Sequence, residues 1–284
     1  MYKIGLSSGT GVNNEEMFKG YADAGIDAME VCVPRPEYPD LDYKAIGKYA
    51  NKYGIELWSF HFPFGPKDGF DPASIVESAR LNTIETFSEN IKKASDIGVK
   101  KFVIHPSTEP IPDEERAERM SRSKDSLNEL AEVAAKCGSV ICIENLPRTC
   151  LGKNSAEIKE LLSVNDKLRA CFDTNHLLSQ DTIEFIKDVG DKIVTLHVSD
   201  YDYMNERHWL PGEGKIDWAS LLKALEEIKY DGVWMYEISR VCPKTILRDR
   251  DLTFDDFARN AKELFEGKPF TLFSTHKENL GMWE

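Results

Sequence analysis

Short apolar runs recur along this chain, and each is followed by a longer stretch whose apolar positions fall three or four apart. The runs are Lys3–Ser7, Ala28–Val33, Ile55–Phe60, Lys101–His105, Val140–Glu144, Arg169–Asp173, Ile193–Val198 and Val233–Ile238. Their length and their β-branched and aromatic content predict strands. The stretches between them predict amphipathic helices. In RSKDSLNELAEVAAKCG, Leu127, Leu130, Ala131 and Ala134 share one face, while Lys124, Asp125, Asn128 and Glu129 point elsewhere. Gly54, Gly98 and Gly138 stand where three of these helices end, the place for a left-handed cap.

Strands alternating with helices imply a parallel sheet of the α/β class. Eight such units without a linker predict a single (β/α)8 TIM barrel over residues 1–267. An open doubly wound sheet is the alternative, weakened because no GxGxxG or GxxxxGK loop follows any strand. Residues 268–284 form a tail whose Phe270, Phe273 and Trp283 are expected to pack on the barrel or on a partner subunit.

The chain has 284 residues, enough to bury one large core without disulfides. Its six cysteines form no CxxC pair and several lie in apolar runs, so they read as small hydrophobes in a reduced, cytoplasmic setting. No signal-peptide pattern and no run of about 18 apolar residues occurs, so no membrane partner is expected. The formal charge of -13 makes nucleic acid a poor partner. A homo-oligomer is a candidate state for a soluble enzyme.

Candidate chemistry gathers at the strand ends. His61, His105, Glu144, Asp173, His176, His197 and Glu237 each end or closely follow a predicted strand, and His208 lies in the loop after the seventh. In a barrel those ends share one face, which carries the active site. Mixed carboxylate and imidazole donors suit a divalent cation such as Mn, Co or Zn, and a carboxylate-rich set also admits Mg. A single histidine after a strand is more often a hydrogen-bonded structural group. Glu144 and Glu237 differ, because a carboxylate ending an apolar strand needs a cation, a buried arginine or a dense set of donors. Glu30 ends an apolar run too and reads as a structural or supporting carboxylate. The segment ERHWLPGEGKIDW reads as a lid, with Gly212 and Gly214 for a tight turn, Asp217 as a helix cap, and Glu206 and His208 as further ligands. Trp58, Phe62, Phe64 and Trp209 are candidates to wall a sugar or to close the core.

With these residues in view, the chain resembles the xylose-isomerase-like barrel superfamily. That superfamily holds sugar isomerases and epimerases of the D-tagatose 3-epimerase type and, related to them, the endonuclease IV family. The resemblance runs from about Met1 to Gly267 and rests on IEN at Ile143–Asn145, FDTNH at Phe172–His176, HVSD at His197–Asp200, RHWLPGEGKIDW at Arg207–Trp218 and YE at Tyr236–Glu237. It implies a single divalent metal held by Glu144, Asp173, His197 and Glu237, with Glu144 and Glu237 as the acid/base pair and His176 on a substrate oxygen. The epimerases' substrate arginine, six residues past the metal histidine, is here Tyr203, so Arg207 is the candidate to replace it, with Trp209 beside it. Endonuclease IV holds three zinc ions, and all nine matching positions here carry a ligand-capable residue: His61, His105, Glu144, Asp173, His176, His197, Glu206, His208 and Glu237. Glu206 stands where that family has Asp.

The function expected is a metal-dependent isomerase or epimerase of a sugar or sugar phosphate, moving a proton beside a carbonyl through an enediolate. The alternatives are a metal-dependent lyase or dehydratase on a keto sugar or cyclitol, an endonuclease IV-like multi-zinc hydrolase, and a non-catalytic sugar-binding barrel.

Overall fold

A computed structural model describes residues 1–9, 13–32, 41–64 and 69–276. Eight strands build one parallel sheet: β1 (Ile4–Ser7), β2 (Ala28–Cys32), β3 (Glu56–His61), β4 (Lys101–Ile104), β5 (Val140–Glu144), β6 (Arg169–Asp173), β7 (Ile193–His197) and β8 (Trp234–Tyr236). Their order is β7-β6-β5-β4-β3-β2-β1-β8. The remaining seam between β7 and β8 is joined by a parallel bridge, Val198 to Tyr236, with the Val198 N–H donating to Met235 (2.8 Å) and the Glu237 N–H to Val198 (3.2 Å). The sheet thus closes on itself as a TIM barrel, the α/β architecture predicted from the periodicity. Position 33, at the end of the predicted second strand, lies outside the described residues.

Helices α1 (Glu15–Ala24), α2 (Tyr43–Tyr53), α3 (Glu77–Asp96), α4 (Arg116–Lys136), α5 (Ser155–Leu162), α6 (Thr182–Val189), α7 (Trp218–Glu227) and α8 (Phe254–Phe265) form the outer ring. Period-two alternation in the strands sorts side chains between two environments. Ile141, Ile143 and Phe172 join the main core beneath the helices, while Cys142 and Cys171 pack with Val103 in a separate small cluster. Leu127, Leu130, Ala131 and Ala134 of α4 are all buried in the main core, as their spacing requires. The backbone is left-handed at Gly54, Gly98 and Gly138 (φ 69°, 104° and 66°), a conformation glycine adopts without cost. None of the six cysteines is joined in a disulfide. Among the described residues no helix is long and apolar enough to cross a membrane.

One element has no counterpart in the sequence pattern. After β8 the chain forms β9 (Ile246–Arg248), which pairs antiparallel with β10 (Ser274–His276). Three-residue strands carry too few alternations to show in a sequence pattern. Phe270 and Phe273 pack against the main core, so this part of the tail lies on the chain's own barrel. Trp283 falls outside the described residues.

Candidate metal centre and active site

The carboxyl ends of the strands converge on His197. Its Nδ1 lies 2.9 Å from Glu144 Oε1, 3.6 Å from Glu237 Oε2 and 3.9 Å from Asp173 Oδ2. Glu144, Asp173 and His197 end β5, β6 and β7, and Glu237 follows β8 directly, so neighbouring staves aim their last inward side chains at one point. On the far side of the ring, His197 Nε2 donates to Glu30 Oε2 at 3.0 Å, and Glu30 also accepts from Ser59 at 2.8 Å. Glu30 therefore holds a proton on Nε2 and leaves Nδ1 turned toward the three carboxylates.

Glu144 sits in a cage of imidazoles. His61 Nε2 and His105 Nε2 are each 3.1 Å from its Oε2, and His197 donates to its Oε1. Burial alone would raise its pKa, but His197 and His105 outweigh that and hold it well below the usual carboxylate range. Glu237 is the opposite case. Burial dominates and the Glu144 and Asp173 charges add to it, against His197 and His208, so its carboxyl is pushed up to about 7. Burial also raises Asp173. His197 is raised well above its usual value, since Cys171 and the Glu237, Glu30 and Glu144 carboxylates overcome burial.

Asp173 supplies the clearest sign of what is wanted here. Its Oδ1 accepts the Asn175 N–H at 2.6 Å, but its Oδ2 is buried with no hydrogen-bond partner. An orphaned buried carboxylate oxygen is costly, and a cation would satisfy it. Two overlapping sets, His61–Glu144–His197–Glu237 and Glu144–Asp173–His176, each bring ligand atoms within 4.8 Å of one another. The residues present therefore fit a divalent cation. The motif residue Asn145 braces the arrangement by donating to the Asp173 carbonyl (2.9 Å) and accepting the Asp173 N–H (2.8 Å).

A third set, His176, Glu206 and His208, also brings ligand atoms within 4.8 Å. His176 donates from Nδ1 to the Asn145 carbonyl (2.9 Å) and has Nε2 3.3 Å from Glu206 Oε2. Burial would lower its pKa, but Asp173, Glu206 and Glu144 raise it to about 10. His208 donates from Nδ1 to the Glu237 carbonyl at 3.1 Å. Above these groups opens a cavity of about 330 Å³, lined among others by Phe64, His105, Arg148, Glu206, His208 and Glu237. Phe64 stacks on His105 with ring centroids 4.1 Å apart and forms an aromatic wall.

Other sequence candidates lie elsewhere. Arg207 is buried and donates from Nε to Asp202 at 2.9 Å, and Trp209 is buried with its indole N–H on Thr245 at 2.9 Å. Neither is among the residues lining the cavity, so the expectation that they touch substrate finds no wall position here. Tyr203 is exposed, with its ring tilted against Tyr201. Phe62 is core, and Trp58 lies under the Lys101 ammonium with its N–H on Thr195. The lid segment is a packed loop. Asp200 gathers it by accepting the N–H groups of Gly212 (2.9 Å) and Ile216 (3.2 Å) and the Trp218 indole (3.0 Å). A Cβ on Gly214 would meet Asp200 Oδ1 at 2.2 Å, which accounts for glycine there. Asp217 caps α7 by accepting the Ser220 N–H.

Two charged wall residues escape the sequence reading. Glu109 follows β4, and Arg148 follows Glu144 in ENLPR. The one signal is a Pro-Arg pair just past the β5 carboxylate, and it does not say which way the guanidinium turns.

Relatives include a D-psicose 3-epimerase of Ruminiclostridium cellulolyticum, 26% identical over 74% of this chain and 73% of that one. A probable endonuclease 4 of Aquifex aeolicus is 33% identical over 56% of this chain and 57% of its own. Among solved structures, a D-tagatose 3-epimerase-like protein superposes with a TM-score of 0.78 at 24% identity, covering 93% of this chain and 97% of that one. A family model described as a xylose isomerase-like TIM barrel matches residues 18–260, and the chain belongs to that family.

Proposed function

We propose that this chain is a divalent-metal-dependent isomerase or epimerase of a sugar, working by proton transfer next to a carbonyl. One observation carries the reading: His197 Nδ1 lies within 3.9 Å of the Glu144, Glu237 and Asp173 carboxylates, while the buried Asp173 Oδ2 accepts no hydrogen bond. The sugar 3-epimerases among the relatives point the same way. Glu144, Asp173, His197 and Glu237 would hold the cation. Bound there, it would stabilise negative charge growing on an oxygen beside the carbon that loses its proton.

The side chains divide the remaining work. Glu144 receives imidazole contacts on both oxygens and is a poor proton acceptor. Glu237 has its nearest imidazoles at 3.6 and 3.7 Å and lines the cavity, which leaves its carboxylate open to take a proton. Glu237 takes the proton from carbon, and the C–H electron pair moves into an enediolate. Glu144, with His61 and His105 beside Oε2, has proton donors at hand to return one from its own side. Phe64 shields one wall from water, and His176 and His208 face the substrate oxygens from the other. The cavity of about 330 Å³ is in the range of small-molecule sites and suits one monosaccharide. Its guanidinium, Arg148, is already held by Glu109 and Glu206, which favours a free sugar over a phosphorylated one.

Incubation with a panel of ketoses in D2O tests the reading. Deuterium should enter one carbon of recovered sugar, with a C3 epimer or aldose forming, and a chelator should stop it. An enone or a cleaved carbon chain would instead identify a lyase. The multi-metal hydrolase reading has one observation in its favour, the His176–Glu206–His208 set beside the main cluster. It requires incision at an abasic site in DNA.

A further inference from the structure

Arg148 is the guanidinium among the residues lining the cavity, and its position is costly to hold. Its φ is 53°, a left-handed backbone that side chains other than glycine, asparagine and aspartate seldom adopt. From there it ties three βα loops together. Nε donates to Glu109 Oε1 at 3.0 Å, Nη1 to Asn205 Oδ1 at 2.9 Å and Nη2 to Glu206 Oε1 at 2.8 Å. Nη2 reaches Glu109 as well. Glu206 thus shares its charge between Arg148 on Oε1 and His176 on Oε2.

The group that Arg148 neutralises is otherwise equipped to hold a metal ion. His176, Glu206 and His208 bring three ligand atoms within 4.8 Å of one another. Both imidazoles spend Nδ1 on a backbone carbonyl, so Nε2 is the nitrogen each has left for another partner. A backbone-anchored ring of this kind is the arrangement ligating histidines take. Yet the positive charge these groups require is present already, covalently attached and never lost to deprotonation. A dication placed on Glu206 would lie within a few ångströms of the guanidinium in a partly buried wall, where like charges repel strongly.

We propose that Arg148 stands in for a further metal ion and limits the chain to the single cation held by Glu144, Asp173, His197 and Glu237. The single-cation count rests on the metal-dependent reading above; the guard over His176, Glu206 and His208 does not. In this view the strained backbone is retained because it delivers the guanidinium to Glu206. Arg148 is then the residue that keeps a ligand-rich barrel mouth to one-metal chemistry.

Metal counting on the full-length protein tests this. Wild type, Arg148→Gly and Arg148→Ala are loaded with excess zinc, passed through a desalting column and counted by mass spectrometry, with folding checked by circular dichroism. Glycine adopts a φ of 53° freely, so Arg148→Gly offsets part of the lost ion pairing and should fold. Wild type should carry one ion and both variants two. Adding His208→Ala to Arg148→Gly should return the count to one. Equal counts in folded wild type and variants would overturn the proposal, as would two or three ions in wild type. A wild type with no ion and a variant with one, lost again with His208→Ala, would keep the guard and discard the metal-dependent reaction.

Discussion

The two ends of this barrel are made from the same strands and hold opposite kinds of interior. At the carboxyl end, Glu30, His61, Glu144, Asp173 and His197 are all at most 1% exposed, so five ionisable groups are packed out of water together. Toward the amino end, Ala28, Val233 and Met235 form one small apolar cluster beside Trp58, and Val103, Cys142 and Cys171 form another. Lys101 lies 3.2 Å above the Trp58 ring and covers that end. The amino end spends its interior on packing. The carboxyl end gives up packing and holds its charges by mutual hydrogen bonds, with one oxygen each of Glu30 and Asp173 still unmatched. Stability and chemistry are thus separated along the strand axis, and substitutions at the two ends should move different observables.

The largest effect is expected at the carboxyl end. Glu237→Gln keeps the shape of the side chain but cannot accept a proton from carbon. Turnover of the reactive ketose should fall by about 10³-fold, within the usual range for a general base. At about pH 5, where Glu237 is itself protonated, the melting temperature should hardly change. A variant that keeps near-normal turnover would remove Glu237 from the chemistry. The complementary change is Trp58→Ala. It deletes a large aromatic and the indole hydrogen bond to Thr195 (3.0 Å). Because Trp58 is only partly buried, the loss should be roughly 3 kcal/mol, at the low end for such a truncation. Urea unfolding would show this as a lower midpoint, while turnover per folded molecule stays within a few-fold. If Trp58→Ala abolished turnover in folded protein, the two ends would not be separable.

Much of this division is legible in the order of residues alone. Strand ends are marked by where apolar runs stop, so strand alternation and barrel topology suffice to put Glu144, Asp173, His197 and Glu237 on one face. Glu30 is readable as a supporting carboxylate for the same reason. The direction of side chains in the loops is not readable, because loop residues have no period. Arg207 and Trp209, expected at the substrate, instead bond to Asp202 and Thr245. Arg148, which does line the cavity, meets partners 39 and 58 residues away, a pairing that no local pattern announces.

A smaller effect should follow from Glu30→Gln. Glu30 touches no substrate-facing group and acts through His197, holding its Nε2 proton at 3.0 Å. The amide can still accept that hydrogen bond through its oxygen but brings no charge, so His197 becomes a weaker donor to a cation. Metal affinity measured by calorimetry should fall about 10- to 100-fold, the usual cost of losing such a partner. Turnover at saturating metal should recover most of the way. Loss of turnover that excess metal does not rescue would make Glu30 part of the chemistry.

The most modest expectation concerns pH in the presence of a chelator. Glu237 is raised from the ordinary 4.5 to about 7 in the folded chain. Between those values Glu237 holds its proton in the native state and not in the unfolded one, so its contribution to stability falls as pH rises through the window and is exhausted above about 7. The carboxylate opens to the cavity, where solvent screens part of the effect, so the change is on the order of 1–2 kcal/mol. Asp173, also raised, adds to it with the same sign, and the raised His197 and His176 continue the decline at higher pH. Glu237→Gln isolates the contribution: its unfolding midpoint should change less than the wild type's between about pH 5 and pH 7. Saturating divalent metal should reverse the wild-type slope there, since the cation competes with the same proton. At the amino end, Trp58→Ala should lower the midpoint by the same amount at every pH in that range, because no titrating carboxylate is involved. If that variant also flattened the slope, the charges at one end would be coupled to the packing at the other.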